Sequence, residues 1–207
     1  MKLPEDLPED LPDDVLYIIF EQLNLVDIVN LSVCSRRFNR ICRQVKCDDL
    51  YNINPKRSYM DNIQKAIAFN KNIKLKLTLF GMKNLTDVSM LGRVHTLNLK
   101  YCINLSDVSM LGNVYDLNLS ECYSVSNVSM LGRVHTLNLS HCDKIKDVSK
   151  LGGVHTLILK YCDGIKDVSM LGNVHTLNLS GCSNVKDISN LNKVHSLDIS
   201  WCKRVKN

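Results

Sequence analysis

The chain has 207 residues, 45% of them hydrophobic and 23% charged, with a formal net charge of +5 at pH 7. Its length and composition suit a chain of one or two domains with a sizeable core. No apolar run approaches the ~20 residues a spanning helix needs, so no membrane is expected among the partners. Residues 1–73 hold 10 Lys/Arg against 11 Asp/Glu, and residues 74–207 hold 16 against 10. That basic excess suits an acidic partner but is dilute. Without a Lys/Arg cluster or interleaved aromatics, nucleic acid is not an expected partner.

In chain order, Met1 to Asp14 is acidic and punctuated by proline, with neither the basic n-region nor the apolar h-region of a signal peptide. The expected location is cytoplasmic or nuclear. There the 9 cysteines are expected as thiols rather than disulfides. Three near copies of one tetrapeptide begin at Leu3, Leu7 and Leu11. Proline followed by acids opens a helix, and only the third copy runs into an apolar stretch: Val15, Leu16, Ile18, Ile19, Phe20 and Leu23. A second helix is expected from Asp27. A third is expected over Cys34 to Gln44, with Phe38 and Ile41 inward and Arg36, Arg37, Arg40 and Arg43 outward. Three short helices cannot bury this much apolar surface among themselves, and an exposed apolar patch marks a partner interface. Asp48 to Pro55 reads as irregular. Ser58 to Asp61 resembles a capping box opening a helix through about Asn70, whose Ile63, Ala66, Ile67 and Phe69 are expected to cover the open end of a repeat array.

That array begins at Lys74 and has a period of 20 residues. Val-His-Thr-Leu recurs at Val94, Val134, Val154 and Val174, with variants at Val114 and Val194 and a degenerate copy at Lys74. Within Val94 to Asn113, Leu97 and Leu99 alternate with polar residues as in a short strand with one apolar face. Cys102 and Leu105 continue inward. Asp107 to Leu111 reads as one tight helical turn capped by the Asp, and Gly112 as the reversal into the next strand. Such a unit cannot fold alone, but stacked copies bury one another's Val, Leu, Cys and Met columns.

Aligning the copies separates scaffold from surface. Cys102, Cys122, Cys142, Cys162, Cys182 and Cys202 form a column, with Met82 in the first copy. Zinc would want clustered ligands. Disulfides between coils are possible on Cα distance alone. A small apolar residue with a weak S–H donor explains the column without either, so no metal or other cofactor is expected. A histidine column, His95, His135, His155, His175 and His195, could sense pH or bind metal, but duplication alone accounts for it. Neither it nor the aspartate column (Asp87, Asp107, Asp147, Asp167, Asp187) stands opposite a nucleophile in a catalytic arrangement. Two strand rows, Thr96 to Ser196 and Asn98 to Asp198, face outward, where a partner would touch. The row just past the strand varies most: Gly81, Tyr101, Glu121, His141, Tyr161, Gly181 and Trp201. Its Tyr101, Glu121, His141, Tyr161 and Trp201 are the candidate target-binding residues, the aromatics foremost, against the alternative that they are tolerated turn residues.

The spacing Val94, Leu97, Leu99, Cys102 resembles the cysteine-containing leucine-rich repeat, shortened. Leu11-Pro12-Asp13-Asp14-Val15-Leu16, then Ile19, Leu23, Asp27-Ile28, Leu31 and Val33-Cys34-Ser35-Arg36-Arg37-Phe38 resembles the F-box. Leu25 stands where many members have Pro, and Asp14 where Glu is common. Together these resemblances imply an α+β chain: an acidic leader at 1–10, a three-helix F-box at 11–45, a linker and capping helix at 46–73, and a solenoid at 74–207 of six full repeats and a partial seventh. The solenoid would carry a parallel sheet on its concave face and short 3-10 or irregular segments on its convex side. The resemblance also implies docking on a Skp-type adaptor, and through it a cullin, with Leu11, Pro12, Leu16, Ile19, Leu31, Val33 and Cys34 as contact candidates. Some of these must instead hold the helices together. The implied role is the non-catalytic substrate receptor of an SCF-type ubiquitin ligase, monomeric apart from that complex. Alternatives are a decoy that sequesters the adaptor and an interaction scaffold unrelated to ubiquitin.

Overall fold

The computed structural model describes residues 11–16, 37, 40, 50–51 and 76–205. The chain divides into two compact units, Met1–Lys76 and Leu77–Asn207. In the first, residues 13–16 are helical, as are Arg37 and Arg40, and a two-residue strand β1 spans Leu50–Tyr51. The Leu16 N–H closes the first turn on the Pro12 carbonyl at 3.1 Å, and the Leu16 side chain is fully buried. Proline at the helix start fits, because that position has no intrahelical use for an N–H. The expected helices from Asp27 and Ser58 lie outside the described residues.

The second unit is built from coils that repeat the same path. Seven short strands lie side by side in chain order: β2 (Lys76–Thr78), β3 (Thr96–Asn98), β4 (Asp116–Asn118), β5 (Thr136–Asn138), β6 (Thr156–Ile158), β7 (Thr176–Asn178) and β8 (Ser196–Asp198). Pairing from β3 to β8 is parallel and unslipped, so Leu97, Leu117, Leu137, Leu157, Leu177 and Leu197 stand in one row. A period equal to the coil length makes this register the one that aligns every apolar residue. Each crossover is a single 3-10 turn, such as Ser109–Leu111 or Ser129–Leu131. It is short because a 20-residue coil leaves no length for an α-helix.

The core is one column of coil upon coil. In the coil Val114–Arg133, Val114, Leu117, Leu119, Cys122, Val125, Val128 and Leu131 are all 0–2% exposed. Bonds between coils run along the whole turn: the Leu99 N–H donates to the Asn118 carbonyl at 2.8 Å, the Tyr101 N–H to Ser120 at 2.9 Å, and both the Tyr115 and Asp116 N–H groups to His95 at 3.0 Å.

Three local expectations change. The methionine column is not part of the core, since Met110, Met130 and Met170 are 58–61% exposed. Gly112 does not reverse the chain through a left-handed conformation, since its φ is −62°. It is there because a Cβ would stand 2.4 Å from the Met130 carbonyl oxygen of the next coil. Nor is the aspartate the cap of the 3-10 turn. That position is Val108, with no side-chain cap bond, while Asp107 Oδ1 accepts the Ser109 N–H at 2.9 Å from one residue further back.

Candidate functional site

The strand ends in the same way in most coils. Asn98, Asn118, Asn138 and Asn178 fold back so that their Oδ1 accepts the backbone N–H two residues on, at 2.9–3.0 Å, an Asx turn. This row, expected to face a partner, is therefore used by the scaffold. Ile158 breaks it.

Two residues further along, the next coil and the tight turn together fix the backbone. The His141 N–H donates to Lys160 at 2.8 Å while the Cys142 N–H turns back to Leu139 at 3.2 Å. The residue between strand and turn is forced into the left-handed region: φ is 64° at Tyr101, 61° at Glu121, 61° at His141, 54° at Tyr161 and 63° at Trp201, with Gly81 at 68° and Gly181 at 78°. Glycine adopts this conformation freely, whereas an L side chain costs about 1–2 kcal/mol there. The most variable row of the repeat is thus also its strained row, and five of its seven positions keep a large side chain where glycine would be least costly. Strained non-glycine residues cluster where their side chains are used.

Those side chains form a ridge. Tyr101 is 37% exposed, Tyr161 46% and Trp201 74%. The Tyr101 ring stacks at 6.3 Å on Phe80 and meets Tyr123 edge-on at 6.3 Å. His141 stacks on Tyr161 at 4.9 Å. Tyr161 lies over Gly181, where a Cβ would meet its ring at 2.3 Å, so the glycine makes room for the neighbouring coil's aromatic. Glu121 pairs with Lys100 at 3.1 Å. Variability along the repeat marks this row in the sequence, but its strain does not show there except through the two glycines.

The other columns serve the scaffold. His95, Tyr115, His135, His155, His175 and His195 form one continuous ring stack with centroids 4.4–4.8 Å apart. Nδ1 of His95, His135, His155 and His175 lies 3.2–3.3 Å from the hydroxyl of the following threonine. Stacked rings present parallel edges rather than convergent nitrogens. Among the described residues no group of three or more His, Cys, Asp or Glu is placed to hold a metal. The six ladder cysteines are free and buried. Each thiol donates to the leucine carbonyl of the preceding coil, as Cys122 Sγ does to Leu99 at 3.2 Å and Cys182 Sγ to Leu159 at 2.9 Å. Burial pushes Cys122 and Cys162 up to about 12, so these thiols are inert. The Ser N–H bond holds Asp87, Asp107, Asp147, Asp167 and Asp187 below the usual carboxylate range.

In the first unit, Leu11 is half-buried and Pro12 exposed, whereas Leu16 is packed inside the unit itself. Ile19, Leu31, Val33 and Cys34 lie outside the described residues. Arg37, expected to face outward, instead reaches Asp13 at 2.7 Å and also donates to the Leu11 carbonyl, and Arg40 takes the second Asp13 oxygen. The Arg37 bond, with both guanidinium charges nearby, holds the Asp13 carboxyl below its ordinary value. This clamp fixes the Leu11-Pro12 segment at the helix start. Its partners lie 24 and 27 residues apart, so no local pattern announces them.

Residues 8–50 match the F-box domain family. No curated protein matches the chain in sequence. Among solved structures, the chain is similar to an internalin (inlF) from Listeria monocytogenes at 22% identity and TM-score 0.47, covering 65% of this chain and 49% of that one. It is also similar to an internalin C2 from the same organism at 20% identity and TM-score 0.47, covering 85% and 91%. The functional domain of InlJ from Listeria monocytogenes, which includes a cysteine ladder, matches at 17% identity and TM-score 0.31, covering 68% and 47%. The chain thus spans about half the length of the first and third of these structures.

Proposed function

We propose that this chain, whose residues 8–50 match the F-box domain family and whose repeats resemble leucine-rich repeats, is the substrate-recognition subunit of an SCF-type ubiquitin ligase. The F-box match over residues 8–50 carries the reading, because F-box domains generally bind Skp-type adaptors. The repeat unit supplies the other half, a rigid parallel scaffold of the kind used for protein interaction.

Mechanistically the chain works by proximity. The F-box unit holds the adaptor and through it the cullin. The ridge from Tyr101 to Trp201 holds a target, raising its effective concentration near the loaded conjugating enzyme. This needs binding surfaces and no catalytic group. The Asp13–Arg37–Arg40 clamp supports the adaptor half by presenting the Leu11-Pro12 segment in one conformation, which lowers the entropic cost of docking. The strained ridge supports the target half.

The test is co-purification of the whole chain with a Skp-type adaptor, beside a variant carrying Leu11→Ala, Pro12→Ala and Ile19→Asp. The expected result is a stable complex that the variant loses while its repeat unit melts as before. Absence of a complex with folded wild-type chain overturns the ligase reading and favours the scaffold alternative. A complex that ubiquitylates no protein held on the ridge favours the adaptor-sequestering decoy.

A further inference from the structure

Among the coils from Val94 onward, the pair after the leading valine is histidine and threonine or serine at every copy but one. The exception is Tyr115-Asp116. The inward residues of that coil keep the common pattern and stay buried, so packing does not require the change. Its chemistry also differs from its neighbours'. In the coils on either side, the histidine Nδ1 rests on the threonine hydroxyl at 3.2–3.3 Å. The Asp116 carboxylate has no hydrogen-bond or ion-pair partner among the described residues, although its N–H is bonded to His95. It stands on β4 between Thr96 and Thr136, half-buried on the polar side of the sheet. Tyr115 remains 47% exposed, its ring faces covered by His95 and His135 and its edge left to solvent.

Beyond the C-terminal ends of β2, β3 and β4 lies the most aromatic part of the ridge. Phe80 is 60% exposed and Tyr123 42%, and both touch Tyr101. Asp116 and Glu121 are five residues apart, along a path that leaves the strand at Asn118 and passes through the Asx turn. Glu121 is already engaged by Lys100. Of these two carboxylates Asp116 is the one left free, in a unit whose remaining charge is predominantly basic.

We propose that Asp116 takes the arginine or lysine side chain of an extended target segment whose bulky apolar residue, a few positions along, lies on Phe80, Tyr101 and Tyr123. The inference deepens the receptor reading by naming the kind of segment received. A carboxylate without a partner on a half-buried surface gains most from a cation, because the charge-assisted bond it forms replaces no internal one. The aromatic trio supplies contact area of the type that dominates interfaces. The basic surroundings exclude a second strongly cationic stretch in the segment, so a single basic residue is read against a polar background.

The probe is a random dodecapeptide library displayed on phage and panned on the full chain. It is run alongside a variant carrying Tyr115→His and Asp116→Thr. That variant restores the pair found in the neighbouring coils and is expected to fold and melt as the wild type does. Asp187→Asn, on the crossover side, is the control. The expected result is enrichment of peptides with one Arg or Lys within a few residues of an aromatic or large aliphatic residue, bound by the wild type and the control and about tenfold or more weaker on the variant. Enrichment of acidic or uncharged peptides, binding that survives in the variant, or no enrichment at all overturns the proposal. Adaptor capture is measured on the same preparations. Basic peptides bound without adaptor leave the surface standing and overturn the ligase reading, while adaptor bound without peptides does the reverse.

Discussion

Gly132→Ala is the substitution on which local and tertiary reasoning disagree most sharply. Gly132 has φ −64° and ψ −7°, a conformation alanine adopts without strain. Judged from the backbone alone, the change narrows the unfolded ensemble and stabilises the protein by about 0.4–1 kcal/mol. The packing says otherwise, because the new Cβ would lie 2.2 Å from the Lys150 carbonyl oxygen. Relief needs a displacement of about 1 Å. The obstacle is backbone, held in place by the Leu151 N–H bond to Val148 within its turn and by the strand pairing. Overpacking of this kind costs about 1–3 kcal/mol, which, set against that gain, centres on a net loss of about 1 kcal/mol. The expected fall in melting temperature is roughly 3–8 °C, read by circular dichroism. Asn192→Ala is the control. It occupies the same place in the last described turn, with φ −65° and ψ −15°, and among the described residues no later coil's carbonyl stands against it, so it should stay within about 0.5 kcal/mol of wild type. Gly132→Ala melting at or above the wild-type temperature would refute the close-approach account of the glycine column.

His141→Gly and Glu121→Gly are expected to leave stability unchanged or raise it by up to about 1 kcal/mol, because relief of left-handed strain outweighs the added freedom of the unfolded chain. Denaturant midpoints check this, and a loss above 1 kcal/mol would contradict the strain argument. Cys142→Ala removes a buried thiol and its 3.2 Å bond to the Leu119 carbonyl, and should cost about 1–3 kcal/mol in urea unfolding. The wild-type ladder thiols should not react with a disulfide reagent at pH 8 until the unit unfolds, with Cys202, the most exposed of them at 8%, reacting first. The depressed carboxyls of Asp87, Asp107, Asp147, Asp167 and Asp187 contribute stability that is present above their unfolded value of 3.8 and lost as pH falls through the folded values. Converting all five to Asn should flatten that acid dependence while keeping the turn, since Asn127 already accepts the same Ser129 N–H at 3.0 Å. Melting curves between pH 5 and pH 2.5 test it.

The architecture of the repeat unit is legible in Val94, Leu97, Leu99, Cys102, Leu105, Val108 and Leu111 because burial on every coil forces the same residue type at the same step. The ridge is only half legible. Variation at Tyr101, Glu121 and His141 marks the row, but nothing in those side chains announces a positive φ, which comes from the next coil's carbonyls. The Asn98 row misleads because an outward alternation in a strand does not reveal that the side chain turns back on its own backbone. Gly112 suggests conformational freedom when its value is the absence of a side chain next to Met130. In the first unit, the clamp on Asp13 joins residues with no periodic relation, which composition and spacing cannot register.

The bonds that hold each coil run to the coil before and the coil after. The Cys122 thiol looks back to Leu99, and the Glu121 N–H looks forward to Ser140. Unequal recombination between near-identical stretches of the coding sequence would therefore insert or delete a whole coil, and every bond broken at one junction would be remade at the other. Such a lineage can lengthen or shorten its reading face in single steps without revisiting the core, while the five bulky ridge residues diverge one coil at a time.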